Sequence, residues 1–238
     1  MNQKIETANY ALGHSPTEIR RLGIQAAIIR PITMRLLHTL GVFPGMRILD
    51  VGCGAGDVAL LASQLVGESG AVVGIDRSEA AILAARARAA TAKNVHFLVK
   101  SPHDPLETAS FDVVIGRYVL IFQDDVPSFI RASARLAKPS GIVAFHEIDD
   151  ADDFAALPEI PLWSQANEWL MSALRSLVPN PDVAGKLVDS FSQAGLGTRA
   201  LFCEVPIGDG EQSPSFARRL AQLLRVRPLL LKRARAIL

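Results

Sequence analysis

Apolar residues along the chain come in two rhythms. Short, mostly apolar runs at 46–51, 71–76, 95–99, 111–120 and 142–147 have the length and β-branched content of buried parallel strands. Between them, at 58–66, 79–91 and 126–137, the apolar positions recur at helical spacing. Strand and helix therefore alternate, which predicts an α/β fold with a doubly wound, mostly parallel sheet and helices on both faces. Upstream, Ser15-Pro16 with Glu18 reads as a capping box that opens a helix at Pro16. Pro31 restarts or kinks that helix, and Gly41 and Pro44-Gly45 end it. Downstream, 161–178 and 181–194 read as helices and 198–206 as a sixth strand. After Glu211 the pattern is helical, with seven basic residues and no acid.

The first run breaks at Gly52, Gly54 and Gly56 before the helix resumes at Val58, which is strand, tight turn, helix. Glycine there lets the backbone take positive φ and lets a ligand approach the peptide groups and the helix N-terminus. The second run ends in Asp76, twenty residues past Gly56. In a βαβ unit an acid so placed stands beside the first strand's tip, where it accepts hydrogen bonds from both hydroxyls of a ribose. The pair of features points to a nucleoside-like ligand.

At these residues the chain resembles the class I S-adenosylmethionine-dependent methyltransferases. Asp50-x-Gly52-x-Gly54-x-Gly56 matches the family's first motif and Asp76 its ribose-binding acid. The dinucleotide pattern GxGxxG instead wants glycine or alanine at position 57, where this chain has Asp57. An anion there repels a pyrophosphate but suits the sulfonium and ammonium of S-adenosyl-L-methionine. The resemblance implies a Rossmann-like core over 45–210 with a helical insertion at about 150–180, an N-terminal helical lid over 1–44, and a basic C-terminal segment over 211–238. It also implies S-adenosyl-L-methionine as cofactor, held by Asp50 through its ammonium, the glycine backbone, and Asp76, with Arg77 flanking the adenine.

Other positions follow from the same resemblance. The loop after the third strand carries Ser101 where the family has an acid for the adenine amino group, so Ser101 and backbone groups of Pro102 are the candidates there. Tyr10 and His14 are candidates for closing the site from the lid, or Tyr10 packs beneath it. Arg117, at the exit of the fourth strand, binds the cofactor carboxylate or an acidic substrate, or pairs with Asp124 or Asp125 at the rim. Tyr118 beside it offers an aromatic wall. The Asn/Asp-Pro-Pro-aromatic motif of amino-base methyltransferases and the Pro-Cys of cytosine C5 enzymes are absent, which weighs against nucleic-acid substrates.

His146 and Glu147 close the fifth strand at the crevice end. Either His146 is a general base oriented by Glu147, or Glu147 caps the neighbouring loop and His146 is a satisfied strand-end residue. Alternate strand residues face opposite ways, so only one of the two points into the crevice. Trp163 and Trp169 line a substrate pocket or pack as ordinary core.

Composition narrows the partners. Twenty-five lysines and arginines against 24 acids leave a net charge of +1, with no global drive toward nucleic acid or membrane. Cys53 and Cys203 read as free thiols, and the five histidines show no zinc spacing, so no metal is expected. The N-terminus lacks a signal-peptide core and no run reaches membrane-span length, which predicts a cytoplasmic protein. The basic tail contacts a membrane or nucleic acid, or serves as a lid or homodimer helix. The reading is methyl transfer to an O, N or C nucleophile of a small organic molecule. The alternatives are an NAD(P)-dependent oxidoreductase and a non-catalytic S-adenosylmethionine-binding regulator.

Overall fold

The computed structural model describes residues 16–148, 156, 158–176, 178–198 and 200–205. Tyr10, His14, the Ser15 cap, the acidic stretch after Ile148 and the basic segment after 211 lie outside these residues.

Five strands form one parallel sheet: β1 (Arg47–Val51), β2 (Ala71–Asp76), β3 (Val95–Val99), β4 (Phe111–Arg117) and β5 (Ala137–His146), in the order β3-β2-β1-β4-β5. The chain steps one way from β1 to β3, then returns to the other side of β1. That reversal opens a crevice at the carboxyl ends of β1 and β4. Helices α1 (Pro16–Thr39), α2 (Asp57–Val66) and α3 (Glu79–Arg88) go with one face, where Leu37, Ile48, Leu61, Ile82 and Ile115 form a closed core. Helices α4 (Val126–Ala134) and α6 (Leu187–Gln193) cover the other, over Leu49, Val114, Phe129 and Ile130. Both faces of β1 and β4 are thus buried, as their near-continuous apolar sequences require.

Several elements depart from the sequence expectation. Pro31 neither restarts nor breaks α1, which runs through it as one helix of 24 residues. Pro31 and Ala27, four residues before it, are both exposed, so the lost backbone bond faces water. The fifth strand begins at Ala137 rather than 142, because the Pro-Ser-Gly turn is absorbed as an irregularity: Phe111 pairs with Ala137 and Val113 with Ile142. Gly141 is needed inside it, since a Cβ there would stand 2.9 Å from the Phe111 carbonyl oxygen.

No sixth strand forms over the described part of 198–206. Leu201, Phe202 and Val205 are exposed and 200–205 is irregular. The second helical stretch, 181–194, is a turn and a short 3-10 segment before α6. In α5 (Pro161–Arg175), Ala166 and Met171 are buried, whereas Trp163 is half-buried and Trp169 is 42% exposed, so Trp169 is not ordinary core. Among the described residues no helix is long and apolar enough to cross a membrane.

Candidate active site

The loop from β1 to α2 turns through positive φ at Gly52, Gly54 and Gly56. The three glycines serve different ends. A Cβ on Gly52 would overlap Val119 at 2.3 Å, and one on Gly56 would meet the Phe97 ring at 2.7 Å, so these two are required by packing. A Cβ on Gly54 would meet nothing within 4 Å. Gly54 alone presents bare backbone to open space.

Asp76 fastens this loop. One carboxylate oxygen accepts from the Gly54 N–H at 2.9 Å and the other from the Ser78 N–H at 2.8 Å, which ties the tip of β2 to the glycine turn. Each oxygen keeps a lone pair for a further donor. The Lys100 N–H bonds the Asp76 carbonyl at 3.0 Å, so the loop after β3 begins beside this acid. There Ser101 and Asp104 brace one another. The Ser101 N–H donates to the Asp104 carboxylate at 2.7 Å, and the His103 N–H donates to the Ser101 hydroxyl at 3.2 Å. Pro102 is buried, and Arg77 is exposed next to Asp76.

Asp50 is 1% exposed and accepts the Ala59 N–H at 2.9 Å. Burial pushes its carboxyl up to about 7, against the pull of Arg117 and the Ala59 amide. Beside it, Asp57 does not face the crevice as a bare anion. Arg88 of α3 holds one of its oxygens at 2.6 Å and also the Ala55 carbonyl at 2.6 Å, and Arg117 stands 3.9 Å from the other. The charge argument against a dinucleotide drawn from Asp57 is therefore weakened, because two guanidiniums offset that charge. Arg86, on the same helix, likewise turns inward and donates to the Phe97 carbonyl at 2.7 Å. A long basic side chain on an exposed helix position can reach back over the sheet edge, which spacing along the helix does not show.

Register decides which side chain enters from β4 and β5. Asp50 pairs with Ile115, and Arg117, two residues on, pairs with His146. Asp50, Arg117 and His146 consequently share the sheet face that carries α1. Arg117 donates to the Thr33 hydroxyl at 2.8 Å, and Thr33, fully buried on α1, donates in turn to the Ile29 carbonyl at 3.1 Å. The rim pairing with Asp124 or Asp125 is replaced by these contacts. Nothing in the sequence ties residue 33 to residue 117, although Thr33 is a polar residue inside an apolar stretch.

Glu147 turns the other way. One of its oxygens accepts the N–H groups of Val119 at 2.9 Å and Leu120 at 2.8 Å, capping the 3-10 turn that follows β4. Its other oxygen is buried without a hydrogen-bond partner among the described residues. It therefore does not orient His146, and the loop-cap reading describes it. His146 is not the near-neutral base expected from its type: burial, then repulsion from Arg117, lowers it to about 4, and its Nδ1 is buried and unpartnered. The His146 carbonyl accepts the Tyr118 N–H at 2.8 Å, and the two rings meet edge-on at 5.3 Å. Tyr118 has φ of 56°, a costly conformation for an aromatic residue and one that concentrates at functional turns.

Burial raises Glu147 to about 7. Its folded-state pKa lies above the unfolded value, so it favours the fold fully below the unfolded pKa, near 4.5, and this is lost as pH rises through about 7. Glu147→Gln keeps an acceptor for both amides and removes the titration. We expect its urea-unfolding free energy to fall less than wild type between pH 4.5 and 7, by up to about 3 kcal/mol. Asp50 slopes the same way and His146 the opposite way. Equal slopes in the two proteins would contradict the assignment.

A glycine turn at the strand-order reversal, an acid fastened to it at the end of β2, and a polar cluster at the ends of β4 and β5 define the class: a doubly wound fold built to hold a nucleoside. The family model described as "Methyltransferase domain" matches residues 43–193, and the chain belongs to that family. It is 32% identical over 162 residues to aklanonic acid methyltransferase of Streptomyces sp. (strain C5), covering 66% of this chain and 73% of that one. It is 39% identical over 115 residues to nocamycin O-methyltransferase of Saccharothrix syringae, covering 47% of this chain and 41% of that one. A solved chain from Methanococcus maripaludis, titled as a candidate S-adenosyl-L-methionine-dependent methyltransferase, superposes with a TM-score of 0.51 at 18% identity, covering 62% of this chain and 67% of that one, and shares the fold. The chain spans 41–73% of the length of these curated relatives and about half of several others.

Proposed function

We propose that this protein transfers the methyl group of S-adenosyl-L-methionine to a nucleophilic atom of a small organic molecule. The observation that carries the reading is the Asp76–Gly54 clasp: a carboxylate with unspent lone pairs, bonded to the only one of the turn's three glycines (52, 54 and 56) whose side-chain direction is open. That geometry fits a ribose edge lying over bare backbone. The donor supplies an activated methyl on a sulfonium. Asp76 would take the ribose hydroxyls and Asp50 the ammonium, while the Ser101–Pro102 turn and Arg77 would border the adenine. Helix α1, reaching the site through Thr33, would form the lid.

His146, neutral above about pH 5 and buried at this end of the sheet, keeps a second positive charge out of the site beside Arg117. The relatives named for aklanonic acid and for an O-methyl transfer favour an oxygen nucleophile. The dehydrogenase and the inert regulator are not favoured beside the family assignment. The deciding experiment incubates the protein with methyl-labelled donor and a fractionated metabolite extract, alongside calorimetry with S-adenosylmethionine and NAD. We expect donor binding, no NAD binding, and label in a low-mass organic product. Binding of NAD alone would overturn the proposal, and so would donor binding without any labelled product.

A further inference from the structure

We infer that the methyl acceptor is an organic acid that enters as its anion, and that Arg117 is the residue that selects it. The inference rests on the methyltransferase reading of the site and adds the chemical class of its second substrate.

Arg117 is an unusual cation for its surroundings. Its side chain is 10% exposed, yet among the described residues the guanidinium makes a single hydrogen bond, to Thr33. Four of its five N–H groups are left for another partner. Asp57, at 3.9 Å, is beyond hydrogen-bond range and already holds Arg88 at 2.6 Å, so it supplies charge but no fitted fork. A nearly buried guanidinium with spare donors favours a planar oxyanion, which it can grip through two parallel bonds.

Two oxyanions could approach, the donor's own carboxylate and a carboxylate, enolate or phenolate of the acceptor. Position along the sheet favours the second. Arg117 lies directly across the ladder from His146, one strand further from β2 and Asp76 than Asp50 is. The Tyr118 ring, packed edge-on against the buried His146 imidazole at 5.3 Å, stands on that outer side. The cation and the aromatic edge beside it suit an acidic, unsaturated molecule.

This choice also simplifies the chemistry. The acceptor oxygen forms the new O–CH3 bond with a lone pair that it already carries as an anion, and the electron pair of the broken S–CH3 bond returns to sulfur. The products are a methyl ester or ether and a neutral thioether. No proton has to be removed, so the low basicity of His146 is no obstacle.

The test uses the full chain saturated with S-adenosylhomocysteine and a panel of aromatic carboxylic acids and acidic enols, each paired with its amide or O-methyl ether. Binding is read by calorimetry or by thermal shift. We expect some acids of the panel to bind and their neutral partners to bind at least tenfold more weakly. Arg117→Gln should lose that preference at least tenfold, a larger change than any in its affinity for the donor. Arg117→Lys, which keeps the charge without the fork, should retain part of it, and Thr33→Val controls for disturbance of α1. Neutral partners binding as well as acids would overturn the inference, and so would a loss of donor affinity in Arg117→Gln with acid preference intact. Failure of the wild-type chain to bind S-adenosylhomocysteine at all would instead sink the methyltransferase reading beneath it.

Discussion

Asp76→Ala is expected to weaken binding of S-adenosylmethionine at least a hundredfold in calorimetry. The substitution removes the acceptor of two backbone amides, Gly54 and Ser78, besides any bond to the ligand. Hydrogen bonds to a charged group contribute about 1.5–3 kcal/mol each, so losing even one to the ribose together with the clasp exceeds the roughly 2.7 kcal/mol that a hundredfold loss requires. Asp76→Asn retains one acceptor oxygen and should fall between the two. An Asp76→Ala protein that binds the donor as tightly as wild type would contradict the whole assignment of the crevice.

The second large effect separates two glycines of the same motif. Gly52→Ala places a methyl 2.3 Å from Val119 Cγ2 at a φ of +68°, and overpacking together with left-handed strain should cost about 2–4 kcal/mol. Its melting temperature should drop by roughly 5–15 °C. Gly54→Ala, at φ +53° with open space around it, should melt within a few degrees of wild type and yet bind the donor at least tenfold more weakly. Val119→Ala in the Gly52→Ala background should restore much of the lost stability, and a double-mutant cycle would measure the coupling. If the two glycine variants behaved alike, packing and ligand access would not be divided between them as the geometry requires.

Much of the architecture was legible in the chain because strands buried on both faces announce themselves as apolar runs. The apolar runs at 71–76 and 95–99 have the same bounds as β2 and β3. The absorbed turn before Ile142 was not legible, since whether Pro-Ser-Gly ends a strand or bulges within it depends on Phe111 across the ladder. The same holds at the site. Spacing marked Asp50, the glycines and Asp76. It could not say which of His146 and Glu147 faces Arg117, because that depends on register with β4. Nor could it foresee that Asp57 is bracketed by arginines 31 and 60 positions away, or that burial would move Asp50, His146 and Glu147 off their usual acidities. Those properties arise only when distant segments are brought together.

The contact between Val119 and the hollow left by Gly52 has a consequence for how such a protein can diversify. Val119 stands on the turn after β4, Gly52 on the turn after β1, and the Glu147 carboxylate pins the former in place by accepting the Val119 N–H. A chimera that imports a new β4 exit with a bulkier residue at position 119 would therefore inherit a clash at the glycine turn. Crossover points chosen in α1 or α5 leave that interlock whole, and libraries recombined there should yield more folded progeny.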